Sequence, residues 1–70
     1  MKHAGTIETY EVFYEAGIFG APTMVVIQNS EGRPAMAGTL DKVAKAQTEG
    51  FGRIRRKAAR LVYQALGSQH

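Results

Sequence analysis

The sequence predicts an α+β fold in which a three-stranded antiparallel sheet, connected as a β-meander, packs against a long C-terminal helix, giving the order βββα. The first half of the chain alternates β-branched and aromatic residues with polar ones, and turns that contain glycine divide it into strands. From residue 39 onward the apolar residues recur at helical spacing. The 70 residues are expected to form a single domain, residues 1–70.

The first strand is predicted over residues 6–15, which are rich in β-branched and aromatic side chains. Alternation along this segment places Tyr10, Val12 and Tyr14 on one face. The opposite face mixes Phe13 with glutamates, which indicates contact with water or with a partner on that side.

The second and third strands are predicted over residues 22–28 and 33–38. Pro22 suits the first position of a strand, where its missing N–H costs no ladder hydrogen bond. A hairpin loop that contains Gly32 separates the two strands. Because Pro34 cannot complete a ladder either, the third strand is expected at an edge of the sheet.

One long helix is predicted over residues 39–66, with Thr39 as its N-cap and Asp41 in its first turn. Two glycines in the segment 48–52 favour a break, whereas the apolar phase continues across that segment unchanged. We therefore favour a single helix, and a kink or two packed helices is the alternative. An unbroken helix would be ~42 Å long and would overhang the sheet.

That overhang predicts a homodimer. A 70-residue core supplies only ~3–5 kcal/mol, and the absence of cysteine leaves neither disulfides nor thiolate metal sites as support. With His3 and His70 at opposite ends, no metal site is expected, and no cofactor. The predicted dimer seam consists of Phe51, Ile54, Ala58, Leu61 and Ala65.

Charge is distributed unevenly along the chain. Residues 1–41 carry two cations and five carboxylates, a net −3, whereas residues 42–70 carry seven cations and one carboxylate, a net +6. On a helical wheel most of these cations form a basic ridge opposite the apolar seam, and only Arg55 lies off it. The ridge consists of Lys42, Lys45, Arg53, Arg56, Lys57 and Arg60. Such a ridge suits phosphate binding, and the alternative is a solvated helix face.

An enzyme is not expected. Glu11 and Glu15 could be imagined as a catalytic pair, but a solvated strand face that discourages edge pairing explains them much better, and no nucleophile–base set accompanies them. Gly50-Phe-Gly52 lacks the Lys-Ser/Thr of a phosphate loop. No apolar run reaches the ~20 residues that span a bilayer, and no signal-peptide pattern is present. A cytoplasmic protein without membrane contact is therefore expected.

A stretch from Tyr10 to Ala46 resembles the double-stranded-RNA-binding domain. The matching pieces are Tyr10-Glu-Val, Ala21-Pro-Thr-Met-Val-Val, Gly38-Thr and Asp41-Lys-Val-Ala-Lys. The resemblance implies the same βββα architecture and assigns phosphate contacts to Lys42 and Lys45. Residues 24–46 are similar in the same way to the N-terminal domain of a small-subunit ribosomal protein. Gly38-Thr-Leu-Asp41, followed by Ala44 and Ala46, is similar to the DNA-binding domains of plant ethylene-response factors and integrase arms, which read DNA with the sheet. The shared pattern therefore reports architecture more than activity.

Three hypotheses follow for the function. The first is a non-enzymatic binding protein whose basic ridge holds duplex RNA or DNA. The alternative is a small regulator or inhibitor of mobile-element type that docks the ridge on an acidic protein surface. In the third, the acidic sheet and the basic helix of separate copies pair with each other in a purely structural assembly.

Overall fold

A computed structural model describes residues 1–47 and 49–68. Thr48, Gln69 and His70, the second histidine of the metal-site argument above, lie outside the described residues. The structure confirms an α+β fold with an antiparallel sheet and a C-terminal helix. Four strands and two helices are observed within these residues. They are β1 Lys2–Ile7, β2 Tyr10–Glu15, β3 Met24–Gln28, β4 Pro34–Thr39, α1 Leu40–Ala44 and α2 Phe51–Gly67.

The prediction of one strand over residues 6–15, and hence of three strands, is wrong. The chain reverses at Glu8-Thr9, and β1 pairs with β2 so that Ile7 lies opposite Tyr10 and Gly5 opposite Val12. A two-residue turn usually has Gly, Asn or Asp where φ is positive, but here Glu8 adopts φ 55°. The register of β1 also shifts between His3 and Gly5, a local irregularity of this outer strand.

Strands β3 and β4 agree with their predictions to within two residues. Asn29 holds the turn between them, because its Oδ1 accepts hydrogen bonds from the backbone N–H groups of Glu31 and Arg33 at 2.9 and 3.0 Å. The strand order is β1-β2-β3-β4, so β4 is an edge strand. The expectation that Pro34 belongs to an edge is confirmed.

Both helices pack on one face of the sheet and enclose the core. Val12, Val25 and Ile27 of the sheet are fully buried there with Val43 of α1 and Val62 of α2. The alternation predicted within residues 6–15 is confirmed in β2, since Val12 and Tyr14 are buried on this covered face and the intervening Phe13 faces the other way.

The prediction of one helix over residues 39–66 is wrong, and the alternative of two packed helices is correct. Thr39 caps α1 as predicted, accepting from the Lys42 backbone N–H at 3.3 Å. The chain then leaves helical geometry, and Gly50, at φ 68°, begins α2 from a conformation that other residues adopt only at a cost. Both helices bury apolar residues against the same sheet, so an unbroken phase did not require an unbroken helix.

The residues of the predicted dimer seam pack within their own chain. Ile54 and Ala58 belong to the buried core, and the other three, Phe51, Leu61 and Ala65, are partly buried against it. With 17 residues, α2 is ~25 Å long rather than ~42 Å. The argument for a dimer from an overhanging helix therefore no longer applies, and the homodimer stays a prediction.

Candidate functional site

The outer face of α2 carries a compact group of cations. Arg53, Arg56, Lys57 and Arg60 are all exposed, on the side of the helix away from Ile54, Ala58 and Val62. At 100° per residue they span an arc of about 100°, and they cover about 10 Å of the helix axis. We call these four residues the basic face. The sequence of α2 contains five cations and no carboxylate, so nothing within the helix neutralises this face.

Two members of the basic face have partners outside α2. The Arg53 Nη2 lies 3.6 Å from Glu8 Oε2, but both side chains are more than half exposed and such a pair contributes little. The Arg56 Nη1 donates to the Ala46 carbonyl at 2.6 Å and ties α2 to the segment after α1.

Lys57 and Arg60 form no ion pair within residues 1–47 and 49–68. They lie three residues apart, which places them side by side on the helix surface. Because α2 directs the Lys57 ammonium and the Arg60 guanidinium into solvent, these two groups are the most accessible cations of the basic face for an anionic ligand.

The predicted ridge is divided between the two helices. Lys42 is exposed on α1 and Lys45 is exposed at its C-cap, where the Lys45 Nζ lies 3.2 Å from the Asp41 carboxylate one turn earlier. Exposed Glu49 stands in the segment between the helices. The structure therefore brings together the four cations of α2, and it places the two lysines on a separate helix whose exposed side also carries a carboxylate.

Arg55 behaves differently from its neighbours, as its position off the ridge predicted. Its side chain is half-buried on the inner side of α2, and its Nε is buried without a hydrogen-bond partner among the described residues. It is therefore not available as part of the basic face.

Sequence reasoning missed Tyr63, which lies three residues after Arg60 and is 52% exposed. The same helical wheel that grouped the cations places this ring at the border of the basic face. An exposed aromatic ring beside cations offers a stacking surface for a nucleic-acid base.

The uncovered face of the sheet has the opposite character. Glu11 and Glu15 lie on it with Phe13 between them, because residues alternate along β2. The Thr6 hydroxyl donates to the Glu11 carboxylate, and this bond, aided by nearby His3, lowers the pKa of Glu11. The ring centroids of His3 and Phe13 are 5.2 Å apart. Glu11 and Glu15 thus lie on the face of the sheet opposite to the face that α2 covers.

The described residues hold neither a metal-binding cluster nor a helix that could span a membrane. No group of three or more His, Cys, Asp or Glu side chains there could hold a metal ion. None of the helices there has the length and apolar character needed to cross a bilayer. Comparison with known protein families, with curated proteins and with solved structures finds no match to this chain.

Proposed function

We propose that the protein is a non-enzymatic binding protein that holds nucleic acid through the basic face of α2, with a duplex as the preferred ligand. The observation that carries the proposal is the set of four outward cations on a helix without carboxylates. Contacts of this kind go to phosphates, which every sequence offers, so binding is expected to be independent of base sequence.

The rigid presentation of the cations supports a duplex. The inner side of α2 packs on the sheet through Ile54, Ala58 and Val62, so the helix cannot readily bend to follow a flexible strand. A regular duplex offers phosphates at fixed spacing to such a surface. The carboxylates on the uncovered sheet face repel phosphates, so the ligand approaches from the helix side.

The strength and salt dependence of binding follow from the number of cations. If all four contact phosphates, the logarithm of the association constant falls with the logarithm of salt concentration with a slope of about −3.6 for duplex DNA and about −2.8 for a single strand. A dissociation constant on the order of 10⁻⁴ to 10⁻⁶ M is expected at physiological salt. If the lysines of α1 also contribute, as the resemblance to double-stranded-RNA-binding domains implies, the slope is steeper.

Fluorescence anisotropy with labelled duplex RNA, duplex DNA and single strands, at low and near-physiological salt, tests the proposal. The variant Lys57→Glu/Arg60→Glu is expected to lose most of the binding. Its matched control is Lys2→Glu/Arg33→Glu, which changes exposed cations outside both helices. Each pair lowers the net charge by the same amount, from +3 to −1.

Equal losses in the two variants would show that overall charge, not the basic face, governs binding. Failure of the unmodified protein to bind any nucleic acid at low salt would overturn the proposal. The basic face would then be assigned to an acidic protein surface, and a pull-down from nuclease-treated lysate, with Lys57→Glu/Arg60→Glu as the negative control, would test that alternative.

A further inference from the structure

Exposed large apolar side chains gather at one end of the sheet. Within the described residues these side chains are Met1, Ile18, Phe19, Met24 and Tyr63, and the first four share this end. Met24 pairs with Glu15 at the end of β2, Met1 precedes the residue that pairs with Tyr14, and the other two lie in the loop between β2 and β3. This β2–β3 loop, residues 16–23, carries the two most exposed of them, Ile18 at 67% and Phe19 at 101%.

The β2–β3 loop is held by specific hydrogen bonds. The Ala21 N–H donates to the Ile18 carbonyl at 3.0 Å, which closes a turn with Phe19 and Gly20 at its centre. The Gly17 N–H donates to Thr23 Oγ1 at 3.1 Å, and the Thr23 carbonyl accepts from Leu40 at the start of α1. The loop therefore presents its side chains in a fixed arrangement.

Phe19 lies at the tip of this turn, where both its backbone conformation and its exposure to solvent are unfavourable for a phenylalanine. Its φ is 52°, a conformation that bulky residues rarely adopt, and its side chain is fully exposed at 101%. Neither the backbone nor the burial of its own chain accounts for a phenylalanine at this position. A ring that projects from a rigid turn has the form of an anchor for another surface.

A pocket of about 270 Å³ lies beside the same turn. The pocket is a depression open to solvent, and its volume exceeds the roughly 150 Å³ of a closed cavity that binds benzene, so it has room for a phenyl ring that enters from outside. Phe19 does not line the pocket, although its neighbours in the loop do. The lining residues are Glu15, Ala16, Gly17, Ile18, Ala21, Pro22 and Met24.

We propose that the occupant of this pocket is Phe19 of a second copy of the chain, in a two-fold dimer in which each copy inserts its ring into the other. An isologous interface requires one patch to contain both the projecting group and the site that receives it. The β2–β3 loop contains both, and the fit in size supports the match. The predicted α2 seam is already covered by its own sheet, so this end holds the largest group of apolar side chains left for a dimer.

The dimer is weak because its contact is small. Each aromatic ring buries roughly 150–250 Å², so two rings and their surroundings fall short of the ~1,200 Å² typical of a stable interface. Association is therefore expected only in the micromolar range or above. It does not depend on the basic face, and it is independent of the proposed nucleic-acid binding.

Sedimentation equilibrium without nucleic acid, from low micromolar to near-millimolar protein, tests the proposal. The average mass of the unmodified protein is expected to rise towards that of a dimer. Phe19→Gly should weaken association by more than about tenfold. Because glycine tolerates the positive φ, this variant retains its fold. Tyr63→Ser removes the other exposed ring and should leave association unchanged, as should Lys57→Glu/Arg60→Glu.

A nuclear Overhauser experiment on a mixture of labelled and unlabelled protein then locates the contact. Transfer between the Phe19 ring of one copy and the Ala16 or Met24 methyl group of the other is expected. A protein that stays monomeric at every concentration, or a Phe19→Gly variant that associates as before, would overturn the proposal. So would a monomer that binds phospholipid vesicles through Phe19, which would assign the loop to a lipid surface.

Discussion

The inner and outer faces of α2 differ in what their side chains contact. The inner face packs Ile54, Ala58 and Val62 against the sheet, where removal of apolar surface from water stabilises the fold. The outer face holds Lys57 and Arg60 in solvent, where an exposed charge changes stability by little. One helical period specifies both faces, and because they hold different residues, stability and binding can be altered separately in this helix.

Truncating the inner face gives the largest expected effect. Ile54→Ala removes buried methyl groups and should lower the free energy of unfolding by about 2–5 kcal/mol. A core of this size supplies only ~3–5 kcal/mol, so much of the variant should be unfolded at room temperature. Urea denaturation followed by circular dichroism measures the change. Arg60→Ala is the outer-face control and should stay within about ±0.5 kcal/mol; similar losses in both variants would refute the division between the faces.

The closeness of the inner face to β1 can be tested at Gly5. Its φ is +149°, and an added Cβ would lie 2.9 Å from Leu61 Cδ1 of α2. Gly5→Ala should therefore lower stability by on the order of 1–3 kcal/mol, measured by the same denaturation experiment. Gly67→Ala, at the exposed end of α2 with open space around it, is the matched control. Its stability should be unchanged or slightly higher.

The contribution of α1 to the binding surface can be separated from that of α2 through the N-cap. Thr39→Ala removes the acceptor of the Lys42 N–H and should cost about 1 kcal/mol, whereas Thr39→Ser should retain most of it. Under conditions in which the variant is fully folded, its affinity for nucleic acid should not change if the basic face acts alone. A marked loss of affinity in Thr39→Ala would show that the lysines of α1 take part.

Acidification should have the smallest effect on stability. This effect arises at Glu11, on the face of the sheet away from α2. The pKa of Glu11 lies below its ordinary value of 4.5, chiefly because the Thr6 hydroxyl donates to the ionised carboxylate. This contribution to stability is complete above pH 4.5 and is lost as the pH falls through the lower folded value. Thermal denaturation at pH values from 4.5 downward should show a small decrease in the melting temperature, and Glu11→Gln should abolish that decrease.

The parts of the fold that the sequence could predict depend on simple periodicity or on strong local chemistry. The alternation of Val12 and Tyr14 gave the covered face of the sheet, Pro34 gave an edge strand, and Thr39 gave the start of α1. The basic face of α2 followed from the same wheel that grouped its apolar residues. In each case the local signal agrees with the tertiary packing.

The parts that could not be predicted lack such a signal or depend on what packs against a face. The segment Lys2–Ile7 has few β-branched residues, and Glu8-Thr9 has no glycine or asparagine to announce a turn. Helical periodicity shows that Ile54 and Ala58 are buried but not whether their own sheet or a second subunit covers them. The helical wheel could have shown Tyr63 at the border of the basic face, whereas Phe19 lies in a loop, where no periodic pattern indicates which side chains are exposed.

Both edges of the sheet are interrupted, and this limits how the protein can grow into larger assemblies. Pro34 removes a backbone donor from one outer strand, and the register shift between His3 and Gly5 distorts the other. Neither strand offers a long, regular row of backbone groups on which a further strand could add. Exposed apolar side chains can therefore persist at the end of the sheet without seeding the stacked, fibril-forming strand pairing that an open edge would invite.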